Sequence, residues 1–453
     1  MKKLTQFALC LATLLLVLSP IVGLSSCGKS EADAGELLAM VPSDAGAVAV
    51  VNVRSLLEKG GAKFDGNSFA PTEEMRMAAA TDSTNFFAEF IEGKSGIEPA
   101  CAVIFCEGEG VFCLAPLADP ASFKKVAAER LGTAFVSSEG VEVCRNFAVK
   151  GNTVWGRLDR QEIRPDEVNR FSSLSSSQSI LSVKNASRLA EFSADIEGWA
   201  NIAALLNNSG MDFSSRGMTT MALQTLLKDP SDITFTATSE KGRMQIEATI
   251  IDSKGNRASL QIPTAEIDPE TIAGISASGE TVIACGVSQK LIKSLRKEVD
   301  NNGISMLGII MQSLGSLDGT SAAVLGRDGN SLAGVISTTG ENTLPLTNLL
   351  NESGLSVTVD GKLLRIISND GKPSGPLNPS EIAPLFKKAM FGVVAAGSLS
   401  QKASALKIDR TALIFSPDNG GLKLSMNIYA GSEKVQFMAS LFEALANMNK
   451  TGK

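Results

Sequence analysis

The apolar positions of this chain fall into short runs that change period along its length. Met244, Ile246, Ala248 and Ile250 alternate with Arg243, Gln245, Glu247 and Thr249, and Leu422, Leu424, Met426 and Ile428 alternate in the same way. Successive side chains of a strand point to opposite faces, so both stretches predict antiparallel sheet with one dry and one wet face. Ala47–Val53 and Thr281–Val287 are almost continuously apolar, which predicts strands buried on both faces. Near the end of the chain Val435, Met438, Leu441, Phe442 and Leu445 share one helical face, expected to pack on the nearest core, that of the second half.

The pattern recurs. Val41–Lys59 lies without gaps against Ile275–Lys293, each reading as turn, apolar strand and amphipathic helix. Cys101–Cys106, Glu107-Gly108 and Val111–Leu114 match Ala322–Arg327, Asp328-Gly329 and Leu332–Val335, two hairpins whose glycines readily supply a positive φ. A helix follows each. The first opens on Asp119-Pro120 and closes at Gly132; the second runs from about Asn342 to Asn351 and closes at Gly354. A further hairpin turns at Glu139-Gly140 in one and at Asp360-Gly361 in the other. Strand–helix units at Ile196–Leu205 and Val393–Ala403 lead into the last match, Ile233–Thr238, Lys241-Gly242 and Met244–Ile250 against Thr411–Ser416, Asn419-Gly420 and Leu422–Ile428. The expectation is an α+β protein of two tandem related halves, 37–266 and 267–450, each with antiparallel hairpins packed by helices. Their joint falls near Pro263–Pro269, and Ser172–Ser179 reads as an exposed loop.

The first 26 residues follow another logic. Lys2 and Lys3 precede an apolar run from Phe7 to Leu18, too short to span a hydrocarbon core of ~30 Å comfortably. This predicts a secretory signal. Leu24-Ser25-Ser26-Cys27-Gly28 resembles the lipobox of bacterial lipoproteins. That resemblance implies cleavage between Ser26 and Cys27, diacylglycerol on the Cys27 sulfur and palmitate-type acylation of the new amine. Each buried methylene adds roughly 0.8 kcal/mol of membrane affinity. Residues 27–36 are small and acidic beyond the cysteine and suit a tether. They also resemble the acidic tag that directs some Bacteroidetes lipoproteins to the outer leaflet, although Ala32 interrupts the acidic run.

Composition narrows the chemistry. The chain carries 42 basic and 48 acidic residues, and without Lys2 and Lys3 the balance is 40 against 48. No basic run marks a nucleic-acid partner. Trp155, Trp199 and Tyr429 are the whole complement of Trp and Tyr, which weakens carbohydrate recognition by ring stacking. Histidine is absent, removing the usual general base of serine and cysteine hydrolases and the commonest zinc ligand. Cys101, Cys106, Cys113, Cys144 and Cys285 lie in apolar segments without metal-site spacing. They read as buried thiols, with one disulfide near Cys106, Cys113 or Cys144 as the alternative. No cofactor or metal is implied.

With the lipobox at Cys27, the block Val41-Pro42-Ser43-Asp44-Ala45 with Val51-Asn52-Val53 and Leu56-Leu57-Glu58-Lys59, and the segment Asp195-Ile196-Glu197-Gly198-Trp199-Ala200-Asn201, the chain resembles large Bacteroidetes envelope lipoproteins of a family of unknown function. The resemblance implies an envelope location and brings no activity or site residues.

Candidate chemistry is sparse. Ser122-Phe123-Lys124-Lys125 fits the S-x-x-K nucleophile motif, but its K-T-G-like and S-D-N-like companions are missing, so a capped helix start explains it better. Glu89 with Glu92, and Glu107 with Glu109, are the nearest carboxylate pairs of the kind a glycosidase uses. Asp82-Ser83-Thr84 resembles an O-glycosylation acceptor, with Ser83 the modified residue. The expected function is a membrane-anchored, non-enzymatic binding or scaffold protein of the cell envelope, attached to the outer membrane through Cys27, with an envelope protein or glycan partner. The alternatives are a histidine-independent hydrolase of envelope polymer or glycan, and a purely structural lipoprotein. Tandem halves would place a cleft or an extended face between them.

Overall fold

The computed structural model describes residues 34–451 apart from 66–67, 81–86, 160, 209–219, 221–222, 225, 262–264, 302–312 and 398–407. The signal, Ser26, Cys27, Ser83 and Pro263 lie outside the described residues. The first half contributes β1 (Ala47–Asn52), β2 (Lys63–Asp65), β3 (Ser68–Ala70), β4 (Cys101–Glu107), β5 (Gly110–Pro116), β6 (Val136–Ser138), β7 (Val141–Cys144), β8 (Phe147–Lys150), β9 (Thr153–Arg157), β10 (Ile196–Asn201), β11 (Pro230–Glu240) and β12 (Arg243–Asp252). The second contributes β13 (Thr281–Val287), β14 (Leu317–Leu325), β15 (Leu332–Thr338), β16 (Leu355–Asp360), β17 (Leu363–Ser368), β18 (Phe391–Ala396), β19 (Ile408–Asp418) and β20 (Gly421–Ala430). The described helices are α1 (Ala34–Ala39), α2 (Val53–Lys59), α3 (Glu73–Ala79), α4 (Phe87–Ile91), α5 (Pro120–Leu131), α6 (Pro165–Ser172), α7 (Ile202–Asn208), α8 (Pro269–Ala273), α9 (Gln289–Asn301), α10 (Leu344–Glu352), α11 (Pro379–Ile382) and α12 (Phe437–Thr451). The fold is thus mixed α+β. Helix α5 starts and stops as its sequence dictates: the Asp119 carboxylate accepts from Ala121 N and Ser122 N, Pro120 opens the first turn, and Gly132 closes it at φ 63°.

Among the described residues, all strands but β2 and β3 join one antiparallel sheet of 18 strands. From one edge to the other the pairings run β6, β7, β8, β9, β5, β4, β1, β10, β11, β12, then β20, β19, β18, β13, β14, β15, β17, β16. The halves meet edge to edge, main chain to main chain, where β12 pairs with β20, so the expected face between them is a seam within a sheet.

Outward from this seam the register is the same on both sides. Ile233 pairs with Ile250 and Thr411 with Ile428; Trp199 pairs with Thr234 and Val394 with Ala412; Ala47 pairs with Ala200 and Thr281 with Ala395. At the seam Glu247 stands opposite Ser425, two positions that the sequence match also puts in correspondence. Farther out, β8 turns into β9 through Gly151 at φ 59°, and β16 into β17 through Gly361 at φ 60°. The hairpin that occupies the place of β16–β17 is therefore β8–β9 and not the one turning at Glu139-Gly140. The latter, β6–β7, is an additional hairpin on the outer side of β8.

Apolar layers cover both sides of the sheet. On one side Ala49, Ile104, Phe235, Ile246 and Met426 meet α2, α3, α5 and α12 in the largest core. On the other side two separate cores form. Val50, Phe105, Phe112, Trp155 and Trp199 pack under α1 and α6, and Val282, Val324, Val335, Val394 and Ile414 under α8 and α11. Strand β1 is buried on both faces as expected, whereas β13 buries Val282 and Ala284 and leaves Ile283 and Cys285 half-buried.

Three expectations change. Helix α12 packs on α2 and α3 of the first half, and not on the second core. The cause is local: Gly242 N donates to Val435 O and Met438 N to Ser239 Oγ, which pins the start of the helix on the β11–β12 turn. Val435 itself precedes the helix. The tether ends sooner than residue 36, because α1 begins at Ala34 and buries Ala34, Leu37 and Leu38. The serine-rich stretch is exposed at Ser173 and from Ser175 to Gln178, but Ser172 ends α6 half-buried, and Ser179 is buried with its hydroxyl donating to Leu38 O at 2.9 Å.

Candidate functional site

The side of the sheet that holds the two separate cores is polar between them. Thr234, Thr236 and Thr238 of β11, Arg243, Gln245, Glu247 and Thr249 of β12, and Lys423, Ser425, Asn427 and Tyr429 of β20 all point to this side, and all are half-buried. Every one presents a hydroxyl, an amide or a charge. At strand spacings of about 4.8 Å the strip is roughly 10–15 Å wide. It is the wet face that the alternation of Arg243–Thr249 predicts, while Met244, Ile246 and Ala248 point to the large core.

Charges on the strip are mostly neutralised in pairs. Lys423 Nζ lies 2.6 Å from Glu247 Oε1, which also accepts from Gln245 Nε2 at 2.8 Å. Arg243 bridges Glu240 at 2.7 Å. Burial pulls the Arg243 guanidinium pKa down, but the Glu240 carboxylate and the Tyr429 hydroxyl outweigh burial and hold it above its ordinary value. The Arg410 guanidinium lies over the Tyr429 ring, 4.4 Å from its centroid. Arg410 Nε and Asn427 Oδ1 are buried and have no hydrogen-bond partner among the described residues. The strip therefore offers hydroxyls, amides and neutralised charge beside two unmatched polar atoms, an arrangement for recognising a polar surface. Its central carboxylate, Glu247, is engaged by Lys423 and Gln245.

The residues with catalytic potential in the sequence are held elsewhere. Ser122 Oγ donates to Asp119 Oδ2 at 2.6 Å, so the hydroxyl belongs to the cap of α5, and Lys125 is exposed. The Ser122 bonds also hold the Asp119 carboxyl below its usual range. Glu89 pairs with Arg130, and Glu92 with Lys94 at 2.6 Å; that lysine's hydrogen bond lowers the Glu92 pKa. Glu107 pairs with Arg170 at 2.6 Å, and Glu109 is exposed in the turn. No disulfide joins the five described cysteines. Burial pushes Cys113 up to about 12 and also raises Cys144 and Cys285. Trp155 and Trp199 are core residues, which leaves Tyr429 as the one ring of the three beside the strip. Among the described residues no group of three or more acidic or cysteine side chains is placed to hold a metal ion.

Two charged clusters were not foreseen. Asp195 is buried at the start of β10, where its carboxylate meets Lys59 Nζ at 2.7 Å, Ser55 Oγ at 2.5 Å and Ser239 N at 2.5 Å. Arg157, buried at the end of β9, bonds Asp159 at 2.7 Å and Glu167 at 3.3 Å and lies over Phe112. Burial pushes the Asp159 pKa up, but the hydrogen bond and charge of Arg157 together with the backbone bonds from Gln161 and Val111 outweigh it, so the net shift is down. Both clusters bind one element to another. An acidic residue immediately before an apolar strand was the available signal for Asp195.

No family model matches the chain, and no curated protein matches it. Among solved structures, crystal forms I and III of TP0453 are similar, each 11% identical over 77% of this chain and over 95% and 96% of theirs, with TM-scores of 0.27 and 0.26. Likeness at that level carries no argument about fold or function. No helix among the described residues is long and apolar enough to cross a membrane.

Proposed function

We propose that the protein is an exported lipoprotein of the cell envelope, held at the outer membrane by acyl chains on Cys27, which binds an envelope protein or glycan on its polar central strip and catalyses no reaction. The strip carries this reading. It is an uninterrupted polar face between two apolar layers, while Ser122, Glu89, Glu92 and Glu107 are each held in surface bonds away from it. The basic start, the apolar run and Leu24-Ser25-Ser26-Cys27 support export and anchoring.

The two halves, 37–266 and 267–450, are in this reading copies of one ancestral unit. What supports it is the agreement between two independent correspondences. The sequence match pairs Ala47 with Thr281 and Ile233 with Thr411, and the hydrogen-bonded register pairs the same positions. An antiparallel pair has a local two-fold axis, and here it passes between Glu247 and Ser425. The strip is then the surface on which the two copies meet.

Protease treatment of intact cells, with Cys27→Ala as control, tests the anchoring. The wild-type chain is expected in the membrane fraction and the variant in soluble form; a variant that stays on the membrane sinks the proposal. Photo-crosslinkers at Thr236 and Ser425 test the strip, with one at exposed Glu381 for comparison. Equal yields from all three positions would remove the strip as the binding face.

A further inference from the structure

The sheet has two ends, and they are finished differently. One ends on β6, only three residues long, and very short edge strands are a usual protection against unwanted pairing. The other ends on β16, six residues whose pairing with β17 runs from Leu355–Ser368 to Asp360–Leu363 without a bulge. Strand β16 contains no proline and no lysine, the other common protections. Among the described residues no strand pairs with its outer edge.

In the first half the place outside the corresponding strand is filled. Strand β8 stands to β9 and β5 as β16 stands to β17 and β15, and β7 covers β8 with Glu142 opposite Val149 and Cys144 opposite Phe147. The position outside β16 thus accepts an antiparallel strand in this architecture. Two of the four large exposed apolar side chains among the described residues lie at this place, the others being Val136 on the opposite edge and Val435. Val359 of β16 is 57% exposed and Leu344 of α10 is 67% exposed. Helix α10 packs along β16 and the chain reverses between them at Gly354, φ 81°, so the first residues of the helix come alongside the last residues of the strand.

The sequence of β16 selects the occupant. Placed antiparallel to a second copy with Val357 opposite Val357, Leu355 meets Val359, Ser356 meets Thr358, and Asp360 meets Gly354. Apolar faces apolar, hydroxyl faces hydroxyl, and the acidic residue of one copy avoids that of the other. A shift by one residue would set Val357 against Thr358 and lose this match. We infer that β16 is a self-association edge, through which two copies of the chain pair and continue one sheet across a two-fold axis at Val357.

Sedimentation velocity of the purified chain over a dilution series tests this. The expected result is a dimer that dissociates on dilution, weakened at least tenfold by Val359→Lys or Leu344→Lys, with unchanged far-ultraviolet circular dichroism. Val136→Lys on the other edge is expected to leave the dimer intact. A monomer at every concentration overturns the inference, whether β16 stays bare or takes a strand from another protein or from this chain's own remaining segments. So does a dimer indifferent to Val359→Lys and Leu344→Lys. The double variant Ser356→Cys, Thr358→Cys reads the register: under oxidation it is expected to give a reducible band of twice the mass. A dimer that never crosslinks there rejects the register.

Discussion

Asp195 and Met390 occupy corresponding places in the two halves, one residue before β10 and β18, and they hold those places by opposite means. The Asp195 carboxylate is buried and bound to Lys59, Ser55 and Ser239, so it ties α2, β10 and β11 together. Met390 packs with Phe415 and Leu422 in a small apolar cluster. A shared strand register therefore fixes where a side chain sits but leaves open whether charge or apolar contact secures it. The two solutions respond differently to truncation. Removing one partner of a buried ion pair costs about 3–5 kcal/mol because it strands the other groups. Asp195→Ala is expected near the lower end of that range, since Lys59 is partly exposed and reaches water while Ser239 N does not. Met390→Ala is expected to cost about 1–2 kcal/mol, below the usual range for a fully buried methionine. Urea denaturation of both variants decides this, and equal losses would erase the contrast.

The cross-strand pair Gly198–Phe235 sharpens the comparison further. Its counterpart is Val393–Leu413. A β-carbon at Gly198 would lie 2.2 Å from Phe235 Cζ, so the first half pairs nothing with a large ring, and the second pairs two middle-sized side chains. Gly198→Val is expected to destabilise by about 2–3 kcal/mol through overpacking. Adding Phe235→Leu re-creates the arrangement of the other half and is expected to recover most of that loss. Additive costs in the double variant would count against a common origin of the two pairs.

Much of this fold is legible in the sequence because local chemistry states it. Period two in Arg243–Ile250 names the wet and dry faces, Asp119-Pro120 and Gly132 bound α5, and acidic-Gly dipeptides mark hairpins. The polar strip is legible one strand at a time. What periodicity does not carry is the identity of a distant partner. The pairing of β12 with β20 joins residues about 180 apart, and alternation in each strand is equally satisfied by many neighbours. An amphipathic pattern likewise tells that α12 has an apolar face without telling which core it covers. The choice is made by the Gly242 and Ser239 bonds, which become visible only once the turn is built. The hairpin β6–β7 misleads for a related reason. Its Glu139-Gly140 turn has the same chemistry as Asp360-Gly361, and only the strand order reveals that Gly151 holds the corresponding place.

The smallest expected difference isolates that choice. Gly242 and Gly420 close corresponding turns, β11–β12 and β19–β20, at φ 69° and 79°. Alanine in either must accept a left-handed conformation, at a cost of about 1–2 kcal/mol. Beyond that shared term the sites differ. A β-carbon at Gly420 meets nothing within 4 Å, whereas one at Gly242 lies 2.8 Å from Glu433 Cα, on the segment that leads into α12. Backbone cannot swing aside as a flexible side chain does, so Gly242→Ala has to push residues 432–433 away and weaken the Gly242–Val435 hydrogen bond. It is expected to cost about 1 kcal/mol more than Gly420→Ala, and to speed proteolysis at α12 where Gly420→Ala does not. Equal stabilities with equal proteolysis would mean that the β11–β12 turn does not hold the helix, and that the burial of Met438 and Phe442 alone directs α12 to the first half.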